Sequence, residues 1–384
     1  MMNFTDTNCN FILGFKELGV CGYDWSVKCV LQVVVNPSLC IIGLIGNLLN
    51  IVVLSRGRMQ EAMSRGIEKS SRLGLMGLAV TDMFCCAGSF MYTISGQERA
   101  LFVGADPRIY VLQYGPYFLN ACMKASTWLT VILAVERYVA ICHPLKARYM
   151  VNVRTTRVAI CLTFLLTCTL ALPTIWTFDV WHFSCNNSKE YHIIDEGLLI
   201  QHRHRLLRNA FTYFWAVIGF LIPAAILAYC NIRLIRALRE SFLMGRMYRA
   251  NFRSSSEAAS NRLTLTLISI VCMFLVLFTP SELLHMFFGD VTADQEDMVS
   301  MMIIIANILR TANFAFNFVL YCVVNVQFRN TWRDIMFCVV QNRKRLRRSA
   351  AGSGSGAIRT VQEMTAPYTS QKNNTMCISE FACM

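Results

Sequence analysis

Long apolar stretches alternate along the chain with shorter polar connections that are rich in basic residues. A helix that crosses a bilayer needs about 20 predominantly apolar residues. Seven stretches meet this requirement, near residues 30–55, 73–96, 109–142, 156–178, 210–236, 263–288 and 299–324. The pattern therefore predicts an all-α membrane protein, a bundle of seven transmembrane helices whose two chain termini lie on opposite sides.

The basic residues are distributed unevenly between the connections. Of the 36 lysine and arginine residues, 26 fall in four segments: 56–72, 136–157, 233–262 and 326–384. Positive charge concentrates on the cytoplasmic side of membrane proteins, so we expect an extracellular N-terminus and a cytoplasmic C-terminus. The net charge of +13 then reflects topology, and we expect no nucleic-acid partner.

The sequence divides into four parts. We expect an extracellular N-terminus at 1–29, a seven-transmembrane domain at 30–324, an amphipathic eighth helix at 325–340 and a disordered cytoplasmic tail at 341–384. Apolar and basic residues alternate at helical spacing in the eighth helix, which indicates contact with membrane lipids. Near its end, Cys338 is a candidate for palmitoylation, with an unmodified cysteine as the alternative.

The segments expected outside carry candidate modification sites. Asn3 and Asn186 each begin a glycosylation acceptor sequence. Four cysteines also lie on this oxidising side: Cys9, Cys21, Cys29 and Cys185. Four cysteines allow three complete pairings, and the sequence does not choose among them.

Polar side chains inside the predicted membrane segments are costly and indicate function. Asp82 lies midway along the second segment. Four more oxygen-bearing residues lie near the middle of other segments: Asn47, Ser126, Asn313 and Asn317. At one depth they would form a pocket for Na⁺ with Asp82 as the metal-binding carboxylate. The alternative is a hydrogen-bonded cluster that holds the helices together.

A charged pair marks the expected cytoplasmic end of the third segment, where Arg137 follows Glu136. The arginine has two available partners: the carboxylate beside it, or a molecule that arrives from the cytoplasm. An arginine that exchanges one partner for the other would act as a switch between two states.

Seven motifs, which occur in the right order along the segments, carry a family resemblance. They are Gly46-Asn47, Leu78-Ala79-Val80-Thr81-Asp82, Glu136-Arg137-Tyr138, Pro223, Phe274 with Pro280, Asn317-Phe318-Val319-Leu320-Tyr321 and Phe328-Arg329. Together they resemble the signature set of rhodopsin-family (class A) G-protein-coupled receptors over roughly residues 30–340. The resemblance implies signalling to a heterotrimeric G protein, with receptor kinases and arrestin as further partners.

The resemblance also implies roles for single residues. Arg137 would leave Glu136 on activation and meet the G protein, while Tyr321 would swing toward Arg137. Pro280 would supply the bend about which the sixth helix moves outward. Further matched positions are Tyr138, Asn231 and Asn317 for the switch, Phe274 and Pro223 for the hinges, and Asp82, Ser126, Asn313 and Asn317 for a sodium pocket that collapses in the active state.

Departures from the family pattern narrow the resemblance. Phe318 replaces the usual proline of the seventh segment, Asn231 the usual tyrosine of the fifth, and Leu112 the usual cysteine of the third. With the run Asn261-Arg262-Leu263-Thr264-Leu265-Thr266, these features resemble invertebrate FMRFamide-type neuropeptide receptors.

The departure at Leu112 also removes the disulfide that the family forms to Cys185. The resemblance leaves Cys185 to pair elsewhere, and a free thiol is the alternative. The candidate partners are Cys9, Cys21 and Cys29.

The outer half of the bundle is expected to hold the ligand. Aminergic receptors carry an aspartate at the position that matches Leu119, so the resemblance argues against a monoamine. The last outer connection contains Asp290 and Asp294 without lysine or arginine. It would attract a basic ligand, and the alternative is a merely solvated loop.

Charged residues lie deeper in the same half. Glu282 would accept the guanidinium of an arginine-containing peptide, unless Arg310 already neutralises it. Lys124 either extends into the cavity or binds a ligand carboxylate. The other candidate contacts are His285, Asn307, Asn120, Phe278, Met123 and Tyr117, although apolar and aromatic residues more often serve packing.

These observations predict a plasma-membrane receptor, and not an enzyme, for a short basic amidated peptide. The sequence shows no catalytic constellation, and we expect no cofactor besides an allosteric Na⁺. The nearer alternative is a class A receptor for a lipid or small molecule. A secondary transporter is the remote alternative, because it predicts internal repeats that the sequence lacks.

Overall fold

The structure is a computed structural model that describes residues 27–57, 59, 66–95, 101–103, 106–185, 189–196, 205–247, 255–288 and 296–352. Several predicted features lie outside the described residues: Asn3, Cys9, Cys21, Asn186, Asp290, Asp294 and the tail beyond 352. Every apolar stretch of the hydrophobic pattern falls at least partly within the described ranges.

The seven apolar stretches form seven helical spans in the described part of the chain. They are α1 (Val27–Ser55), α2 (Gly66–Ser95), α3 (Arg108–Cys142), α4 (Val153–Ala171), α5 (Arg205–Ala216, Val217–Leu221 and Ile222–Met247), α6 (Ser255–Phe288) and α7 (Glu296–Ala315 and Asn317–Val324). Six spans are long and apolar enough to cross a membrane, and the bent pair of α7 makes the seventh. The predicted seven-transmembrane bundle is confirmed.

Polar contacts near in sequence fix two of the helix ends. Asn152 precedes α4, and its side chain accepts a hydrogen bond from the Thr155 backbone N–H at 2.9 Å, as a helix cap does. Before α3, the Asp106 carboxylate accepts hydrogen bonds from the side chain and backbone N–H of Arg108. The Arg108 side chain thereby holds the pKa of Asp106 below its ordinary value.

A small antiparallel sheet is present that the all-α prediction did not include. Strand β1 (Leu101–Val103) lies between α2 and α3, and strands β2 (Phe178–Cys185) and β3 (Lys189–Glu196) lie between α4 and α5. The strand order is β1-β3-β2, with Phe102 opposite His192. The pairing satisfies backbone groups of a long connection. We call this end of the bundle the sheet end, and the other end the far end.

The helices pack around an apolar centre and present apolar side chains outward as well. One core cluster draws on α2, α3, α5, α6 and α7, and includes Cys86, Leu227 and Phe314. On the outside, Leu165 of α4 and Val276 of α6 have exposed fractions of 63% and 69%. Apolar faces on both sides of a helix suit a bundle surrounded by lipid.

Two glycines allow α1 to approach α7 closely. A Cβ on Gly43 would lie 3.1 Å from the Cα of Ala315. A Cβ on Gly46 would lie 3.0 Å from the Cβ of Phe318. The absence of a side chain at both positions therefore sets the distance between the two helices.

Helix α7 bends by 46° between its two segments without a proline. Phe316 lies at the break with φ −86° and ψ 0°, and Phe318 stands where the family pattern has proline. Beside the break, Asn47 Nδ2 of α1 donates a hydrogen bond to the Phe314 carbonyl at 3.0 Å. Insertion of a side chain into the backbone bonding of a helix is a recognised cause of kinks, so this contact accounts for the bend.

Helix α8 (Val326–Gly352) belongs to a separate structural unit that begins at Gln327. It begins where the sequence predicts the amphipathic helix, and it continues past the predicted end at 340. Residues 341–348, which include five basic residues, are therefore helical rather than disordered. Cys338 lies within α8, and its palmitoylation stays a prediction.

Cys29 is the one cysteine of the predicted oxidised group whose state the described residues establish. It is buried at the start of α1 and is disulfide-bonded. The pairing of Cys185, at the end of β2, stays a prediction.

Candidate functional site

Three charged side chains meet near the sheet end of the bundle. Lys124 of α3 and Arg310 of α7 both bind the carboxylate of Glu282 on α6. Lys124 Nζ lies 3.0 Å from Oε2, and Arg310 Nη2 lies 3.2 Å from Oε1. The three side chains are only 6%, 14% and 14% exposed, so the charges depend on one another. We call Lys124, Glu282 and Arg310 the charged cluster.

Aromatic rings and a hydroxyl hold the two cations as well. The Lys124 ammonium lies 5.8 Å from the ring centroids of both Trp215 and Phe278. The Arg310 guanidinium lies 5.8 Å from Phe278 and donates from Nε to Ser281 Oγ at 3.1 Å. Cation–π contacts are attractive, so the rings offset part of the cost of burying two positive charges.

Two cavities lie beside the charged cluster. The larger, about 230 Å³, is lined by the whole cluster together with Asn120, Trp215 and others. The smaller, about 160 Å³, is lined on one side by Asn307. Met123 and Arg310 line both cavities, and Arg310 Nη1 donates to Met123 Sδ at 3.7 Å. This pair therefore separates the two cavities.

Some predicted ligand contacts lie away from the cavities. Phe278 is fully buried and stacks on Phe274 with ring centroids 4.7 Å apart, so it packs within the core. Tyr117 packs beside Trp215 and lines neither cavity. His285 belongs to α6, but its side chain lies outside the described part, so its ligand contact stays a prediction. Asn120 lines the larger cavity but also donates to Thr174 Oγ1 at 3.2 Å.

The structure decides between the two alternatives for Glu282. Both of its oxygens already bind cations of the same chain, Arg310 as the sequence allowed and Lys124 in addition. A ligand guanidinium would have to displace one of them. The sequence did not reveal this trio, because which residues of three helices meet depends on the rotation of each helix about its axis.

Sequence reasoning also missed the contribution of α5. Its π-helical turn, Val217–Leu221, contains Gly219. A Cβ there would lie 2.8 Å from the Trp215 ring and 3.0 Å from the Lys124 stem, so the glycine leaves room for both side chains. An isolated glycine in an apolar helix was the available signal, and π-helical turns occur often at functional sites.

A second polar group lies in the middle of the bundle around Asp82, which is fully buried. Its Oδ1 accepts a hydrogen bond from Ser126 Oγ and its Oδ2 one from Asn317 Nδ2, both at 2.5 Å. Asn317 Oδ1 is buried and has no hydrogen-bond partner in the described part. A carboxylate, a hydroxyl and an amide oxygen are ligands that hard cations prefer, so these residues fit the predicted Na⁺ pocket.

Two residues of the predicted pocket are not joined to Asp82. Asn47 donates to the Phe314 carbonyl and accepts a hydrogen bond from Asn50 at 3.3 Å, so it connects α1 with α7 instead. Asn313 is buried on α7, but no hydrogen bond within the described residues links it to Asp82. The described side chains that contact Asp82 are thus Ser126 and Asn317, and the membership of Asn47 and Asn313 in the pocket stays a prediction.

At the far end, Glu136 has partners other than the neighbouring arginine. Its Oε1 accepts hydrogen bonds from Thr156 Oγ1 of α4 at 2.5 Å and from Ser70 Oγ of α2 at 3.2 Å. Where the structure describes the chain, no ion pair joins Glu136 to Arg137. This corrects the expectation of a direct bond between them, and the reason is geometric: consecutive helix residues point to different faces.

Arg137 is 1% exposed, and its Nε and Nη2 atoms have no hydrogen-bond partner among the described residues. Glu136 and Glu68 act on it electrostatically. A buried guanidinium with donors left over is unfavourable until acceptors reach it. The far end of the bundle therefore holds a buried guanidinium with unused hydrogen-bond donors.

The other predicted switch residues surround this end. The Tyr138 hydroxyl lies 3.4 Å from the Tyr229 hydroxyl of α5. Asn231 Nδ2 donates weakly to Cys272 Sγ of α6 at 4.0 Å, which links the two helices. Tyr321 of α7 is buried, with 3% exposure.

The predicted hinge prolines lie inside helices, where a proline removes one backbone hydrogen bond. Pro280 lies within α6. Pro223 is the second residue after the π-helical turn of α5. Phe274 packs in the core cluster together with Val271 and Phe278.

Comparison with known proteins agrees with this architecture. A profile of the family described as 7 transmembrane receptor (rhodopsin family) matches residues 46–321. Sex peptide receptor-related protein 2 of Caenorhabditis elegans is 25% identical over 273 residues, which cover 66% of this chain and 57% of that relative, less than two thirds of its length. Galanin receptor 2a of Danio rerio is 24% identical over 340 residues, 85% of this chain and 84% of that protein. The sex peptide receptor of Drosophila melanogaster is 26% identical over 316 residues, 78% of this chain and 71% of that protein.

Proposed function

Because the chain belongs to the rhodopsin family of seven-transmembrane receptors, we propose that it is a plasma-membrane receptor that binds an extracellular peptide and activates a heterotrimeric G protein. Relatives named for galanin and for sex peptide support the ligand class. The observation that carries the coupling is the buried Arg137, whose guanidinium has donors without acceptors at the end of the bundle opposite the cavities.

The distribution of charge supports the orientation. The connections at the far end and the segment after α7 hold 26 of the 36 lysine and arginine residues, and basic connections face the cytoplasm. The sheet end and its cavities then face outward, where a peptide arrives. The far end faces inward, where the G protein, receptor kinases and arrestin are found.

The cavities are too small to enclose a whole peptide, so a peptide ligand would have to lie partly outside them. Sites for drug-sized molecules measure about 300–1,000 Å³, and each cavity here is smaller, at about 230 Å³ and 160 Å³. A peptide would insert one end and rest its remaining residues on the outer connections. The sequence predicts a short basic amidated peptide because Asp290 and Asp294 lie in the last outer connection. This ligand type stays a prediction.

Activation requires that the ligand bind one state of the bundle more tightly than the other. The charged cluster joins α3, α6 and α7, so a ligand that changes these contacts acts on the helices that surround Arg137. At the far end, carbonyl groups of a G-protein segment would supply the missing acceptors. Na⁺, held by Asp82, Ser126 and Asn317, would supply positive charge beside the buried carboxylate.

Cells that display the receptor provide the test. They are challenged with a panel of basic, acidic, amidated and free-acid peptides while intracellular calcium and cAMP are recorded. We expect at least one peptide to evoke a response that Arg137→Gln abolishes at equal surface expression. Silence to every peptide, together with a response to a lipid extract, would contradict the peptide assignment and favour a lipid or small-molecule ligand.

A further inference from the structure

Resting on the receptor function proposed above, we propose that the larger cavity binds a carboxylate group of the ligand, between Lys124 and Arg310. The carboxylate belongs either to an acidic side chain or to a free C-terminus. The juxtaposition that carries the proposal is a cavity in which two buried cations share one acidic residue.

The charged residues that line the cavities give the wall an excess of positive charge. Among the described residues that line the two cavities, Lys124 and Arg310 are cationic and Glu282 is the one acid. Lys124 is 5% exposed as a residue, so water compensates little of its charge. A buried cation in excess favours an anion that enters the same space.

Two residues of the cavity wall, Lys124 and Trp215, have more hydrogen-bond donors than acceptors that they contact. A lysine ammonium has three donors, and the oxygen that Lys124 binds in the described part of the chain is Glu282 Oε2. Trp215, which lines the same cavity, is 7% exposed, and its Nε1 donor is buried without a hydrogen-bond partner. Two residues of different helices that line the cavity therefore carry more hydrogen-bond donors than the acceptors they contact.

A positively charged ligand group would be repelled at this site. A guanidinium or ammonium that approached Glu282 would lie beside the two cations that already engage both of its oxygens. Like charges within a few ångströms of one another repel strongly in a buried site. A carboxylate would instead accept from Lys124 and share Arg310 with Glu282, since a planar guanidinium has five donors.

The test uses small probes and the purified full-length receptor in detergent. N-acetylglycine represents a free C-terminus, and N-acetylglutamic acid α-amide represents an acidic side chain. N-acetylglycinamide is the neutral control and N-acetylargininamide the cationic one. The thermal unfolding midpoint is measured with each, so the readout does not depend on signalling.

We expect one or both carboxylates to raise the midpoint by roughly 2 °C at ten times their Kd, and the two controls to leave it unchanged. The carboxylate that acts identifies the source of the group. A shift that is equally large with the neutral amide, a shift with argininamide alone, or no shift with any probe would overturn the proposal.

Three variants connect the shift to the cavity. Lys124→Met should abolish it, whereas Lys146→Met, the same change at an exposed position of the far end, should preserve it. Glu282→Gln removes the competing carboxylate and should lower the probe Kd at least threefold. If Lys124→Met fails to fold, Trp215→Phe removes the unpartnered N–H and should weaken the probe severalfold. Retention of the full shift in folded Lys124→Met, or in Trp215→Phe where Lys124→Met does not fold, contradicts the proposal.

The outcome separates this inference from the receptor function. A carboxylate-dependent shift without any peptide response in cells would support the carboxylate site and contradict the peptide assignment. A peptide response that is the same for acid, amide and basic analogues would support the receptor function and contradict the carboxylate site.

Discussion

At the scale of single residues, four buried or partly buried ionisable groups differ in how their charge is compensated. Glu282 has two cations, Asp82 has a hydroxyl and an amide, and Glu136 has two hydroxyls. Arg137 has guanidinium donors that nothing accepts among the described residues. The charge of Glu282 is thus compensated by opposite charges, whereas Asp82 and Arg137 have no opposite charge in direct contact within the described part of the chain. An ion is expected beside Asp82 and a partner beside Arg137.

Thr156→Val tests the compensation of Glu136. The valine keeps the shape of the side chain but removes the hydroxyl that donates to the carboxylate. A hydrogen bond to a charged group is worth roughly 1.5–3 kcal/mol, so the thermal midpoint of the purified receptor should fall. Thr155→Val is the control, because Thr155 is exposed and surface changes usually stay within about 0.5 kcal/mol. Equal losses in the two variants would contradict the assignment.

Sodium dependence tests the network around Asp82. Replacing choline chloride with NaCl at constant ionic strength should raise the thermal midpoint by a few degrees, because a ligand that binds the folded state stabilises it. Asp82→Asn should abolish the rise. Asn47→Ala should retain it, since Asn47 does not contact the carboxylate. Loss of the rise in Asn47→Ala alone would restore that residue to the pocket.

At the scale of helices, the approach of α1 to α7 depends on positions without side chains. Gly43→Ala would place a methyl group against Cys86 Sγ of α2 and 3.1 Å from a backbone atom of α7, Ala315 Cα, and crowding of this kind costs roughly 1–3 kcal/mol. The loss should appear despite the better helix propensity of alanine.

The matched control is Gly77→Ala within α2. Its methyl group would meet only the flexible end of Ile160 at 3.4 Å, so the thermal midpoint should stay unchanged or rise slightly. Measured midpoints of the two variants compare the same substitution in two packing environments. A greater loss in Gly77→Ala would show that crowding at Gly43 is not the determinant.

The sequence predicted the helices better than their irregularities. Each membrane helix follows from its own apolar run, so Glu136 and Arg137 could be assigned to the end of α3 without knowledge of its neighbours. The direction of each side chain could not be assigned, because it depends on packing: Glu136 contacts α2 and α4 rather than the next residue. The sheet was missed since its strands are short and pair across two separate connections.

At the scale of the whole molecule, the receptor has a cavity at one end and an unsatisfied guanidinium at the other. Arg137→Gln should abolish ligand-stimulated nucleotide exchange on a purified G protein, because a neutral amide cannot replace the charged donors. Ligand binding should change by less than about threefold when no G protein is present, since Arg137 lies far from the cavities. The measurement is guanine-nucleotide exchange in reconstituted vesicles, with binding measured on the same samples. Unimpaired exchange would exclude Arg137 from coupling.

The curvature of α7 has a mechanical consequence. A proline ring would build the bend permanently into the chain, whatever the neighbouring helices did. Here the deflection is maintained by an amide from another helix, and a clamp of that kind can be released. If α1 and α7 move apart, α7 is free to straighten. The bend of α7 in this receptor therefore depends on a tertiary contact, whereas a proline would fix it through its covalent ring.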